Sequence, residues 1–182
     1  MAFNEDWKFS FKYETRLKEQ GRCWYYDAGD LGLAYSGLHE KIKIGANCKL
    51  IEQFDDEQWR SETRPYTYIT YKDSVKCLDW FNTTRTECRI FENKSDLWRV
   101  RNKAGIKLPP IFEKTNLRPY LSDEVFFNFD GQGYAKNRIY AGCTFNLTEK
   151  LKGDFYYFWE KETASAGGQE LNVAGLKLTY YF

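Results

Sequence analysis

The chain has 182 residues, and its 14 Tyr, 14 Phe and 6 Trp make aromatics 19% of the total, beside 29% charged residues and only 4 Pro. That length fits a single domain, 1–182; the formal net charge of +1 leaves no nucleic-acid footprint in the bulk balance, and no apolar run is long enough for a transmembrane helix. A mean hydropathy of −0.69 does not exclude a membrane barrel, which needs only alternate residues apolar.

By period alone, a first strand spans about 3–17. Trp7, Phe9, Phe11, Tyr13 and Thr15 alternate there with Lys8, Ser10, Lys12, Glu14 and Arg16, and Lys18-Glu19-Gln20-Gly21 breaks the pattern. Met1-Ala2-Phe3 runs directly into this strand without a basic, apolar and small-residue export signal. Either a signal was removed, or the protein stays in the cytosol. The second strand, about 22–36, carries Leu31, Leu33 and Tyr35 on one face and predicts a bulge near Ala28-Gly29. Ser36-Gly37-Leu38-His39 reads as a tight turn. The third, about 40–53, is the cleanest alternation, with Ile42, Ile44, Ala46, Cys48 and Leu50 against Lys41, Lys43, Gly45, Asn47 and Lys49.

Phe54-Asp55-Asp56-Glu57-Gln58 makes an acidic loop. The fourth strand, about 59–72, sets Arg60, Glu62 and Arg64 on one face and then meets Pro65, which predicts a bulge or break. The fifth carries Arg85, Glu87 and Arg89 and the sixth Arg99, Arg101 and Lys103; charges at every second position stack on one face of a strand, whereas a helix would scatter them. After the longest connection, Leu108 to Asn116, come a seventh strand at Tyr120 to Phe129, the Asp130-Gly131-Gln132-Gly133 hairpin, an eighth at about 134–147 and a ninth from Leu151. The last stretch, Gln169 to Phe182, alternates to its aromatic end. Such a strand needs a neighbour on both edges, and closure supplies both. The expected fold is all-β: a single up-and-down antiparallel transmembrane β-barrel of about ten strands.

Alternation does not say which face is out. A soluble lipid carrier turns its apolar face inward, a membrane barrel outward. Strands of about 12–15 residues exceed what soluble sheets use, the polar faces carry Arg-x-Glu and Arg-x-Arg patterns suited to a closed lumen, and no helical segment is available to lid a ligand cavity. The membrane sense is therefore expected, with the soluble carrier of a hydrophobic ligand as the alternative. The alternative draws on the missing signal and on five cysteines, Cys23, Cys48, Cys77, Cys88 and Cys143, an odd number for an exported chain. Their spacing fits neither a zinc site nor a redox motif, and they read as small apolar fillers.

Several motifs resemble those of bacterial outer-membrane barrels in domain-of-unknown-function family 2490. They are Asp123-Glu124-Val125-Phe126-Phe127, then Asn137-Arg138-Ile139-Tyr140-Ala141-Gly142, and a terminal aromatic, Phe182. Arg85-Thr86-Glu87-Cys88-Arg89 and Trp98-Arg99-Val100-Arg101 resemble that family's middle strands. The resemblance implies the bacterial outer membrane as location, contact with its lipid, and Phe182 as the signal read by the barrel-assembly machinery. It implies no activity.

Candidate functional residues follow from the faces. Glu14, Arg16, Arg60, Glu62, Arg64, Arg85, Glu87, Arg89, Arg99, Arg101, Glu124 and Arg138 are expected inside, together with Lys41, Lys43, Lys49, Lys103 and Asp154. They would form a plug of paired side chains or, since bases outnumber acids, a narrow anion-favouring passage. On the outward face Thr63, Thr67, Asn82, Thr84 and Thr86 are too polar for comfortable lipid contact, which marks a sector for a protein partner or a second copy. Asp55-Asp56-Glu57 reads as a solvated loop. His39, the lone histidine, falls on an inner turn, the wrong rim for an outer-rim hydrolase, and no nucleophile motif accompanies it. The expectation is a non-enzymatic membrane barrel, structural or complex-forming, with no cofactor and no metal.

Overall fold

The computed structural model describes residues 6–18, 22–55, 57–92, 95–129, 133–163 and 170–182. Ten strands follow one another: β1 Trp7–Lys18, β2 Cys23–His39, β3 Ile42–Asp55, β4 Gln58–Val75, β5 Leu78–Phe91, β6 Leu97–Lys107, β7 Arg118–Asn128, β8 Gly133–Asn146, β9 Leu151–Glu162 and β10 Glu170–Tyr181. Each pairs antiparallel with its sequence neighbours, and β1 pairs with β10, so the sheet closes. Among the described residues there is no helix long and apolar enough to cross a membrane. This is the expected ten-stranded up-and-down barrel, and the closing strand finds its second edge on β1 through Tyr13 opposite Leu178 and Arg16 opposite Gly175.

Burial fixes the direction of the faces. Ser10 and Glu14 are buried while Trp7, Phe9, Phe11 and Tyr13 between them are exposed. Leu31, Leu50, Ile69, Leu121, Ile139, Phe155 and Leu176 are likewise outside. An apolar surface on this scale belongs against hydrocarbon. Aromatic pairs ring its two edges: Trp7–Tyr35, Tyr71–Trp80 and Tyr180–Phe182 at the rim where β1 starts and β10 ends, and Trp24–Trp59 and Phe127–Tyr134 at the opposite rim. Along β4 the stretch from Trp59 to Tyr71, at about 3.3 Å per residue and a tilt of about 40°, spans roughly 30 Å. That matches a bilayer's apolar band. The barrel is transmembrane, and charged side chains line its interior.

Several local expectations need correction. The second strand bulges at Tyr25, opposite the step from Arg16 to Leu17, not at Ala28-Gly29. The consequence is that Tyr25 and Tyr26 both point inward and are buried. Ser36 to His39 is not a turn: β2 continues through it, with an irregular register before His39 pairs Ile42, and Glu40 and Lys41 turn the chain. Pro65 makes no bulge. It pairs with Cys48 on β3, its missing N–H leaves Arg64 and Pro65 out of the ladder to β5, and the same register resumes at Tyr66 opposite Glu87. A second bulge, at Ala135, turns that residue inward beside the step from Phe126 to Phe127. Val75 still belongs to β4, and Lys76 and Cys77 make the next turn. Asp56, Asp130 to Gln132, and much of the last connection lie outside the described residues. Four of the cysteines lie in strands and Cys77 sits in a turn; Cys48, Cys77, Cys88 and Cys143 are free thiols.

Candidate functional site

Strand parity brings charges from distant parts of the chain into one interior. Glu87, in the inner half of β5, is 0% exposed. Arg99 on β6 donates to its Oε1 through Nε at 2.7 Å and again through Nη2. Arg85 Nη2 lies 2.8 Å from Oε2, Arg101 Nε 3.6 Å from the same oxygen and Arg64 Nη1 3.9 Å from Oε1. The Arg85 approach is off the hydrogen-bonding angle, so it is a charge contact without a hydrogen bond. Glu62 accepts from Arg64 Nε at 2.7 Å and from Arg89 twice at 2.9 Å. Glu124 accepts from the Tyr140 hydroxyl at 2.7 Å and faces Arg101 at 3.3 Å.

A second cluster joins the first and ninth strands. Glu14 accepts from Arg16 Nη2 at 2.8 Å, from Lys49 and from the Tyr156 hydroxyl. Glu160 accepts from Arg138 and, at 3.2 Å, from Lys136. Asp30 accepts from Asn47 and Tyr66, each at 2.5 Å, with Lys12 at 3.6 Å. Desolvating each such ion costs several kcal/mol, which only multiple partners offset. Arginines outnumber carboxylates around Glu87, and aromatic faces take up part of the difference. Arg85 sits 3.4 Å from the Tyr66 ring centroid, and Arg138 lies 4.8 Å from Phe126 and 4.7 Å from Phe158.

Of the charges read as inward, those along the middle of the strands line the interior, and two stand at the rims. Arg60 stands nearer the rim opposite Gln53 and is exposed. Lys41 sits in the turn and pairs Asp73 at 3.0 Å. The sequence does not single out Asp30, Lys136 and Glu160, although Asp30 pairs across the ladder with Lys12, Lys136 shares parity with Arg138 and Glu160 with Asp154. It also passed over the rings that fill the space between charges: Tyr26, Phe126, Tyr140, Tyr156 and Phe158, all buried. Gly175 makes room for one of them, since a Cβ there would lie 2.3 Å from the Tyr156 ring.

Two cavities open into the interior. A cavity of about 670 Å³ opens on the rim where β1 starts, lined by Lys43, Lys72, Lys103, Lys107 and Thr70 among others. Another, of about 520 Å³, holds Arg16, Arg89, Arg138 and Glu160 toward the opposite rim. No described residue lines both.

On the outside, Thr63, Thr67, Asn82, Thr84 and Thr86 lie on the outward face, and the polar sector extends further than they do. The Asn82 and Asn102 amides bond to each other at 3.1 and 2.9 Å, Asn102 also donates to Thr84 at 2.9 Å, and Asn137 Nδ2 donates to Asp123 Oδ1 at 2.6 Å. Asp123 and Asn137 open two of the motifs that resemble the family, and Asn102 follows a third, so the alternation of β6, β7 and β8 carries the signal for this polar extension. His39 is exposed at the rim that carries both strand termini, and its Nδ1 accepts from the Lys41 N–H at 3.1 Å. Phe182 is exposed at that rim and packs edge-on against Tyr180 at 5.0 Å.

The family described as Protein of unknown function (DUF2490) matches residues 1–172. No curated protein matches the sequence. Among solved structures, a bacterial polysaccharide outer membrane secretin is similar at a TM-score of 0.58 and 11% identity, over 100% of this chain and 67% of that one. A de novo designed transmembrane β-barrel matches at 0.45 and 11%, over 100% of both chains. The translocator domain of the autotransporter NalP from Neisseria meningitidis matches at 0.45 and 11%, over 100% and 90%. The first likeness bears on the fold; the scores of the other two are too low to carry weight.

Proposed function

The chain belongs to the DUF2490 family, whose function is not established, and from its own geometry we propose a non-enzymatic, complex-forming barrel of the bacterial outer membrane, closed at its centre. The observation that carries closure is Glu87, fully buried and surrounded by Arg64, Arg85, Arg99 and Arg101 between two cavities that share no lining residue. With the lumen closed, the working surface is the outer wall. Its polar sector across β4 to β8 supports a protein partner there, because amides and a carboxylate facing hydrocarbon are costly unless covered. His39 contributes no catalysis in this reading: its Nδ1 is occupied by a backbone N–H and it stands at the rim of the strand termini.

The first test is physical. Native protein is expected to sediment with outer membranes, to migrate differently boiled and unboiled, and to give no steady conductance in planar bilayers. A steady anion-selective current would replace closure by the narrow passage. For the outer wall, a photo-cross-linker at Thr84 or Thr86 in native membranes is expected to capture a protein, and labelling of lipid alone would sink the partner face.

A further inference from the structure

The lumen's two halves treat charge differently. Toward the rim opposite the strand termini, Arg16, Arg64, Arg89, Arg99 and Arg138 each meet a carboxylate. In the larger cavity, at the terminal rim, three of the acids are already engaged, Asp73 by Lys41 at 3.0 Å, Asp79 by Arg118 at 2.5 Å and Asp154 by Lys177 at 2.6 Å, and the fourth, Glu40, stands in the exposed turn at its lip. Lys43, Lys72 and Lys107 line the same cavity, and among the described residues no carboxylate stands within ion-pair distance of any of them. Lys72, Lys12, Lys8 and Lys152 each add a like charge around Lys43. Lys8 and Lys152 line a second recess that shares Lys43 and Lys72 with the first. Hydroxyls complete the wall, with Thr70 and Thr83 bonded at 2.9 Å and Tyr68 beside them.

Cations crowded in a narrow cleft repel one another and concentrate counter-ions. The closed centre does not need them, since its carboxylates have their own arginines. Residue type narrows the ligand. Arginine forks suit planar carboxylates, whereas lysine ammonium groups act as point charges that suit phosphate oxygens from any direction. A cavity of about 670 Å³ has the size of a small-molecule site.

We propose that the terminal-rim vestibule is a binding site for a phosphate-bearing anion, held by Lys43, Lys72 and Lys107, with Lys8 and Lys152 at its edge. The ligand enters from the rim of the strand termini and stops at the charged centre. The phosphate belongs either to a soluble polyanion or to a lipid headgroup, which present the same oxygens to the lysines.

The test uses the full chain in phosphatidylcholine nanodiscs, titrated with inorganic triphosphate by calorimetry. Wild type and a Lys161→Gln control, altered on the outer wall, are expected to bind alike. The Lys43→Gln, Lys72→Gln, Lys107→Gln triple variant is expected to bind at least tenfold more weakly. Removing mutual repulsion should not harm folding, and unchanged heat-modifiable migration checks that it does not. No binding by wild type, or equal binding by the triple variant, overturns the site. Native mass spectrometry from nanodiscs containing phosphatidylglycerol separates the sources. A retained phospholipid that the triple variant loses assigns a headgroup, and triphosphate binding without a retained lipid assigns a soluble anion. A conducting centre would overturn closure and leave this site standing, so the two readings fail separately.

Discussion

Glu87 illustrates how a single side chain organises the interior. Among the described residues it is the one carboxylate that four arginines approach within 4 Å, and it has no exposed surface. Replacing it by glutamine keeps the shape and removes the charge, leaving Arg64, Arg85, Arg99 and Arg101 facing one another at low dielectric. Breaking a buried ion pair on one side costs about 3–5 kcal/mol. Glu87→Gln is therefore expected to lower the urea midpoint of the vesicle-folded barrel by that order, followed by tryptophan fluorescence. Arg60→Gln, at an exposed position, should change it by less than about 0.5 kcal/mol. Equal effects would show that the Glu87 cluster does not hold the barrel together. Parity alone puts Glu87 and its charged neighbours on one face, because in a strand every second residue shares a face. It did not show that Glu87 rather than Glu62 or Glu124 is the hub, since that depends on which arginines reach across from other strands.

At the scale of elements, the faces of β5 to β8 carry the next prediction. Asp123 lies near the middle of the outer face of β7, opposite Ala104 and Ile139. A carboxylate at that depth is unfavourable against lipid by about 1–3 kcal/mol. Asp123→Leu is expected to raise the unfolding midpoint of the isolated barrel and to reduce capture from Thr84 or Thr86 in native membranes. A lower midpoint would mean that the carboxylate serves the barrel's own stability, against a partner role. The sequence also foresaw the strands better than their irregularities. Pro65 reads as a break because a central ladder needs its N–H, yet β4 is long enough to pass through one missing rung and resume register. The Tyr25 bulge left no comparable mark, since an extra residue only shows once both partners of the ladder are aligned.

For the molecule as a whole, the two separate cavities follow from arithmetic on faces. Ten strands enclose little more than side chains can fill, and large rings on the inward face, such as Tyr156 over Gly175 and Phe158 against Val173, complete the filling. The unpaired lysines gather where the ladder of Arg-Glu pairs ends. By itself the sequence determined the strand count, the closed antiparallel order and the charged inner face, because period-two alternation and short connections are local properties of the chain. The choice between lipid outside and ligand inside was settled by the tertiary structure, which alone places Trp7, Phe9 and Phe11 in the open and Glu14 beneath them. It alone also decided where Asp30, Glu160 and Lys136 find partners and which lysines find none. Ion pairs across a barrel join residues distant in sequence, and their reach depends on register, tilt and closure that no single strand encodes.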